Sequence, residues 1–222
     1  MPAVALLPLA AADDDRDLEA RLRAGGPRAL DDLEALQLLA GLAPGQAEAL
    51  VEAFGSLPEV LAADAAALGR IVPAGAAAQL TLLADLARRQ LAAPLRARSV
   101  LSSWSAVTDY LRAAMAGRTR EEFRVLFLDK RNRLIRDEVM GHGTVDHAPV
   151  YPREVVRRAL ELGASALVLA HNHPAGDPTP SAADVDMTRQ VVAAAQALRI
   201  AVHDHVVVGG RETASFRALG LI

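Results

Sequence analysis

Cysteine is absent from the 222-residue sequence. The chain therefore cannot form a disulfide, a thiolate zinc site or a cysteine nucleophile. Any zinc site must instead be built from histidine and carboxylate side chains. A chain without cysteine is compatible with the cytoplasm, which is the location we expect.

Aromatic residues and lysine are both scarce. Aromatic side chains make up 3% of the sequence and hydrophobic residues 52%, so the core must consist mainly of alanine, leucine and valine. Lys130 is the single lysine, and the formal net charge is −3. Such a charge provides no general attraction to nucleic acid or to an anionic membrane.

Long apolar runs are also missing. No uncharged apolar stretch is long enough to cross a bilayer, so we expect no association with a membrane. The N-terminal "MPAVALLPLAAADDDR" has an apolar run but no basic residues before it, which is unlike a signal peptide. We expect residues 1–16 to form a disordered tail.

Residues 17–95 carry apolar side chains at three-to-four spacing, as in "DDLEALQLLAGL" and "AAAQLTLLADLARRQLA". Aspartate and glycine stand at plausible helix ends. This pattern predicts a small all-helical domain. Residues 96–103 are then expected to form a linker.

The pattern changes from residue 104 onward. "FRVLFLD" and "RLIRDEVM" resemble a hairpin, "ALVLA" a short buried strand, and "IAVHDHVVVG" a further strand. Helical segments lie between them, and a short helix is expected over "SFRALGL" near the end. Residues 104–222 are therefore predicted to form an α/β domain.

The segment "HNHPAGDPTPSAAD", residues 171–184, holds the most informative spacing. His171 and His173 follow the buried strand and would point to the same side of it. Ser181 stands where a helix N-cap belongs, and Asp184 occupies the capping-box position. A histidine pair or a cap alone is usually structural, but two imidazoles and one carboxylate together suit a catalytic zinc ion.

The spacing H-x-H, seven residues, S, two residues, D resembles the JAMM metalloprotease signature. The wider segment "PREVVRRALELGASALVLAHNHPAGDPTPSAADVDMT", with "DHVVVG" and "SFRALGLI", is similar to the RadC family over roughly residues 100–222. The resemblance implies an α/β fold, namely a cytidine-deaminase-like JAMM/MPN domain whose mixed sheet is flanked by helices. It also implies a small all-α helix-hairpin-helix-like domain before it.

The resemblance further implies a zinc-dependent metallopeptidase or isopeptidase acting on a peptide or protein substrate. His171, His173 and Asp184 would bind Zn²⁺, and Ser181 would help to hold the oxyanion. The family also requires a glutamate as general base at the start of the strand after the first helix. The resemblance points to Glu122, just before Phe123, with Glu121 as the alternative. Neighbouring strand residues face opposite sides, so only one of the two can face the metal.

Several other polar residues are candidates for a role near this site. Glu138 and Glu154 are weaker candidates for the general base. Asp204 could orient a ligand imidazole or make a structural contact. Tyr151 could border a cleft or pack. We expect Asp177 and Asp186 to be solvated, and His142 and His147 to lie in surface loops.

Residues 17–95 resemble helix-hairpin-helix DNA-binding units, but less closely than residues 100–222 resemble the RadC family. "IVPAGAAAQL" has only Gly75 where a glycine-hydrophobic-glycine turn would present backbone N–H groups to phosphate. Nearby positive charge is limited to Arg70, Arg88 and Arg89. We therefore expect a structural or partner-binding role with at most weak DNA contact.

Two other functions stay open at this point. One is a DNA-repair-associated, nucleic-acid-binding accessory protein with a structural or vestigial zinc site. The other is a scaffold without chemistry. The complete ligand set favours the peptidase, and the sequence leaves the oligomeric state open.

Overall fold

The computed structural model describes residues 13–143 and 150–222 of the chain. The chain divides into two compact units, Met1–Ala84 and Asp85–Ile222. The predicted linker, residues 96–103, falls within the second unit, so the predicted and structural divisions lie at different places. The prediction for residues 1–12 lies outside the described residues.

The first unit is all-helical within the part of the chain that is described. Its helices, the last of which continues into the second unit, are α1 (Asp13–Gly25), α2 (Asp32–Ala40), α3 (Pro44–Phe54), α4 (Leu57–Ala62), α5 (Ala65–Leu68) and α6 (Ala74–Ala97). Helix α2 begins with a capping box, in which the Asp31 carboxylate accepts from the Glu34 backbone N–H at 2.9 Å. Fully buried leucines from four of these helices form one core, which contains Leu36, Leu50, Leu68 and Leu80.

The second unit contains a five-stranded sheet in the order β2-β1-β3-β4-β5. Strands β3 and β4 are parallel and the other neighbours are antiparallel, so the sheet is mixed. The remaining elements are α7 (Trp104–Met115), β1 (Glu122–Leu128), β2 (Leu134–His142), α8 (Pro152–Glu161), β3 (Ala166–Asn172), α9 (Ala182–Ala197), β4 (Ala201–Gly209) and β5 (Glu212–Ser215). The predicted fold class, an all-helical region followed by a mixed sheet with helices, is confirmed.

Each face of the sheet is covered by a different set of helices, because strand side chains alternate between the two faces. Phe123, Val125 and Leu169 pack in a core with residues of α8 and α9, and we call this side the α8/α9 face. Leu126 and Val168 pack in a second core with residues of α7 and the end of α6, and we call this side the α7 face. A strand residue's position in the alternation therefore tells which face it serves.

Three local predictions differ from the structure. Helix α1 begins at Asp13, inside the segment expected to be a tail. The expected linker contains the end of α6 and a 3-10 turn at Val100–Ser102, in which Val100 is fully buried. The expected C-terminal helix is replaced by β5 and a turn, because the Phe216 side chain is buried and its backbone N–H donates to the His205 carbonyl at 2.9 Å.

No helix within residues 13–143 and 150–222 combines the length and the apolar character needed to cross a bilayer.

Candidate metal centre

The end of β3 is fastened to the start of β1. Phe123 lies opposite His171 in the antiparallel register. Between these strands, the Asn172 side chain accepts from the Glu122 backbone N–H at 2.8 Å and donates to the Arg120 carbonyl at 3.0 Å. Since Asn172 is committed to this role, its neighbours His171 and His173 take the other side of the strand end.

Helix α9 begins with the predicted capping box. The Asp184 backbone N–H donates to Ser181 Oγ at 3.2 Å, and the Ser181 backbone N–H donates to Asp184 Oδ2 at 2.7 Å. The Ser181 hydroxyl also donates to Asp184 Oδ2, at 2.6 Å. The cap thus fixes the Asp184 carboxylate at the start of the helix.

The structure brings the three predicted metal ligands together. One ligand atom from each of His171, His173 and Asp184 lies within 4.8 Å of the others. His171 Nε2 is 2.9 Å from His173 Nε2 and 3.4 Å from Asp184 Oδ1. His171 and Asp184 are buried, whereas the His173 side chain is 21% exposed, so the cluster opens to solvent on the His173 side.

A hydrogen-bond relay sets the tautomer of His171. Thr188 donates its hydroxyl proton to the Asp184 carbonyl at 2.6 Å, so Thr188 Oγ1 can only accept from His205 Nδ1, also at 2.6 Å. His205 Nε2 therefore carries a lone pair and accepts from His171 Nδ1 at 2.8 Å. The lone pair of His171 is then left on Nε2, which faces the cluster.

His173 is held in the same tautomer by the loop that follows it. Its Nδ1 lies 2.7 Å from the Asp177 carbonyl oxygen, which can only accept, so the remaining lone pair is on Nε2. Two nitrogen lone pairs and a carboxylate thus converge on one point, and they repel one another unless a cation lies among them. Two imidazoles and one carboxylate are a donor set that zinc accepts, so the residues fit the metal.

The charges of the surrounding groups suit a cation site. Burial opposes ionisation of Asp184, but a positive charge at His171 Nε2, where the relay leaves room for a cation, and the donors of Ser181 hold the pKa of this carboxyl well below its ordinary range. Burial also lowers the pKa of His205 well below its ordinary value. Asp184 is thus ionised and His205 neutral at pH 7, as the relay requires.

Residues 101–221 match the family model of the RadC-like JAB domain. The chain belongs to this family. The matched segment spans all five strands and the whole metal cluster, so the resemblance inferred from the motif is confirmed. The JAB domain and its His-His-Asp cluster together fit a metal-dependent hydrolase.

Glu122, the predicted general base, contacts two arginines on the side of the sheet away from the metal cluster. Its Oε2 lies 3.5 Å from Arg124 Nη2, and its Oε1 lies 4.0 Å from Arg118 Nη1. Glu122 and Arg124 are two residues apart on β1, in the alternation that supplies Leu126 to the α7 face. His171 is on the α8/α9 face, at the opposite side of the sheet.

Glu121 lies on the opposite side of the sheet from Glu122. The pairing of β1 with β2 extends to this residue, because the Gly143 backbone N–H donates to the Glu121 carbonyl at 2.8 Å. Glu121 therefore shares its side with Phe123, whose ring packs edge-on against His205 at 5.6 Å. The residue is 6% exposed, and its side chain has no hydrogen bond or ion pair with any described residue.

The weaker candidates for the general base have other partners. Both carboxylate oxygens of Glu138 accept from Arg158, at 2.5 and 2.7 Å, and Glu154 accepts from Arg157 at 3.0 Å. Asp204 also lies away from the ligands, since it accepts from the Arg217 backbone N–H at 2.9 Å and from the Ser215 hydroxyl. Asp204 therefore fastens β5 and the C-terminal turn to β4.

The side chains of the remaining polar residues lie in other surroundings, although the Asp177 backbone carbonyl contacts His173. Asp177 accepts from the Thr179 backbone N–H at 2.9 Å, and Asp186 is exposed on α9. Tyr151 is exposed beside Arg153, and His142 is exposed at the end of β2. His147 lies outside the described residues.

Sequence reasoning missed three residues that shape the cluster, namely Thr188, His205 and Gly209. Thr188 could have been found from its position one helical turn after Asp184, on the same face of α9. His205 lies in "IAVHDHVVVG", for which the sequence predicts only a strand. A Cβ on Gly209 would lie 2.5 Å from the Pro178 backbone nitrogen, so this glycine lets the loop that holds His173 approach β4.

Proposed function

We propose that the JAB domain is a zinc-dependent metallopeptidase or isopeptidase that hydrolyses an amide bond of a peptide or protein substrate. The observation that carries the proposal is the convergence of two Nε2 lone pairs and an ionised carboxylate, fixed by His205, Thr188 and the Asp177 carbonyl. An arrangement fixed by this many contacts is expected of a metal site whose ligands must not rotate.

His171, His173 and Asp184 would hold the metal through three protein ligands. A zinc ion with three protein ligands keeps one position open, and when bound it supplies an acidified water and a polarised carbonyl. The partly exposed His173 side chain lies on the side from which a substrate can approach. The buried His171 and its relay close the opposite side.

Glu121 is the proposed general base in place of Glu122. Its carboxylate shares the α8/α9 side with His171 and has no partner among the described residues that would compete for a proton. In the forward reaction Glu121 accepts the proton of the attacking water. It then returns that proton to the leaving amine.

Ser181 is proposed to stabilise the oxyanion through its hydroxyl group. In the structure this hydroxyl donates to Asp184 Oδ2 at 2.6 Å. The backbone N–H of Ser181 donates to the same oxygen at 2.7 Å, so Asp184 remains held when the hydroxyl turns toward the substrate. Ser181 is exposed, which is compatible with contact to a substrate.

The proposal predicts metal-dependent cleavage of peptides. Purified protein, chelated and then reloaded with one equivalent of zinc, is incubated with a complex peptide mixture, and the products are read by mass spectrometry. New amide cleavages should appear with zinc, disappear with chelator, and be absent in His173→Ala. No cleavage under any metal condition, or cleavage that survives chelation, would contradict the proposal.

A further inference from the structure

A cavity within the unit Asp85–Ile222 is lined by α6, by the α7 face of the sheet and by the edge strand β2. Its volume is about 720 Å³, which is the size of a small-molecule site. Arginines dominate its lining, although the chain as a whole carries a net charge of −3. The six arginines are Arg88, Arg89, Arg96, Arg118, Arg124 and Arg136.

The carboxylates near these arginines are too few to neutralise them. Asp85 lies 3.4 Å from Arg88 and 2.7 Å from Arg89, so one charge serves two guanidinium groups. Glu122 is shared in the same way by Arg118 and Arg124.

Asp137 is the third carboxylate, and it lies 2.6 Å from Arg124. The six arginines thus have four carboxylates within ion-pair distance, and the fourth, Glu138, is also bound by Arg158. The lining keeps a surplus of positive charge.

Two arginines at the cavity are especially free to bind a ligand. Arg96 is exposed and forms no ion pair or hydrogen bond with any described residue. Arg136 lies 4.0 Å from Glu138, whose two oxygens are already occupied by Arg158. Each guanidinium offers five N–H donors in a planar fork, which matches the geometry of phosphate oxygens.

A buried polar atom at the cavity gives an independent indication of a missing partner. The Nε atom of Arg124 is a buried donor without a hydrogen bond, whereas Asp137 Oδ1 and Glu122 Oε2 are buried acceptors, which a phosphate cannot satisfy. An unsatisfied buried N–H group costs free energy unless a ligand or water supplies an acceptor. A phosphate oxygen would supply that acceptor to Arg124.

The alternation of β1 separates this cavity from the metal cluster. Glu122 and Arg124 serve the α7 face, whereas Phe123 serves the α8/α9 face, on which His171 lies. The cavity is therefore a distinct site, and a ligand bound in it would not contact the metal ligands.

We propose that this arginine-lined cavity binds a small ligand that carries several phosphate groups, either a free polyphosphate or the polyphosphate chain of a nucleotide. Several phosphates are favoured over one because the cavity is much larger than a single phosphate and its arginines come from α6, β1, β2 and the segment between α7 and β1. Charge-assisted bonds to guanidinium groups are among the strongest hydrogen bonds in proteins.

The test is isothermal titration calorimetry of the full chain with inorganic triphosphate, with ATP and with a single-stranded oligonucleotide, at physiological salt. Binding of triphosphate or ATP supports the proposal, and the tighter of the two identifies the source of the phosphates. Binding of the oligonucleotide alone would overturn it, as would binding of none of the three.

The double variant Arg96→Gln/Arg136→Gln should weaken triphosphate or ATP binding by at least about 100-fold, because two charge-assisted contacts are lost. Both side chains are exposed, so the variant should retain the wild-type melting temperature. The matched control is Arg211→Gln, which removes an exposed arginine from the turn after β4. An equal loss in the control would overturn the proposal, since it would indicate nonspecific attraction.

Discussion

Replacing Glu121 by glutamine is expected to lower the rate of peptide hydrolysis by about 10²- to 10⁴-fold, which is the usual contribution of a general base. The amide preserves the size of the side chain but cannot accept the proton of the attacking water. Glu121 is not one of the three proposed ligands, so the variant should still bind zinc. Hydrolysis rates and zinc content of the same preparation provide the measurement.

Glu122→Gln is the matched control because it makes the same change one residue along the chain. Glu122 contacts Arg118 and Arg124 on the α7 face, so this variant should keep its zinc and hydrolyse at close to the wild-type rate. The opposite result, with Glu122→Gln inactive and Glu121→Gln active, would return the general base to Glu122. It would also show that the alternation of β1 does not continue to Glu121.

Gly209→Ala is expected to weaken zinc binding about 10- to 100-fold and to destabilise the fold by about 1–3 kcal/mol. The added Cβ would lie 2.5 Å from the Pro178 nitrogen and 2.6 Å from the Gly176 carbonyl oxygen. These are backbone atoms, so the loop as a whole must move. The Asp177 carbonyl would then leave His173 Nδ1, to which it is now 2.7 Å distant.

Competition with a chelating dye measures the zinc affinity. Thermal unfolding of the metal-free protein measures the change in stability separately. Gly75→Ala is the control, because a Cβ there meets nothing within 4 Å and alanine favours the helix in which Gly75 lies. Wild-type zinc affinity in Gly209→Ala would mean that the loop does not position His173.

The sequence predicted those parts of the site that are local in the chain. His171, His173, Ser181 and Asp184 lie within fourteen residues, and strand periodicity with a helix cap was enough to place them together. The general base could not be assigned from local sequence pattern alone. A strand pattern tells which residues share a face of the sheet, but not which face contains the metal ligands. The choice between Glu121 and Glu122 depends on the pairing of Phe123 with His171.

The parts that the sequence did not predict depend on contacts between distant segments. His205 reaches His171 because β4 lies parallel to β3 after a crossover through α9. The C-terminal turn was misread as a helix because the burial of Phe216 is decided by the sheet, not by local periodicity. The arginine-lined cavity likewise combines residues from segments that are far apart in the chain.

The most direct test of the metal centre is the zinc content of the purified chain after reconstitution, measured by native mass spectrometry. The wild-type protein is predicted to carry about one zinc ion per chain, as a three-ligand site implies. Asp184→Ala and His171→Ala should lose it, whereas Asp186→Ala, which removes an exposed carboxylate from the same helix, should keep it. A wild-type chain that binds no zinc, or ligand variants that retain it, would contradict the account.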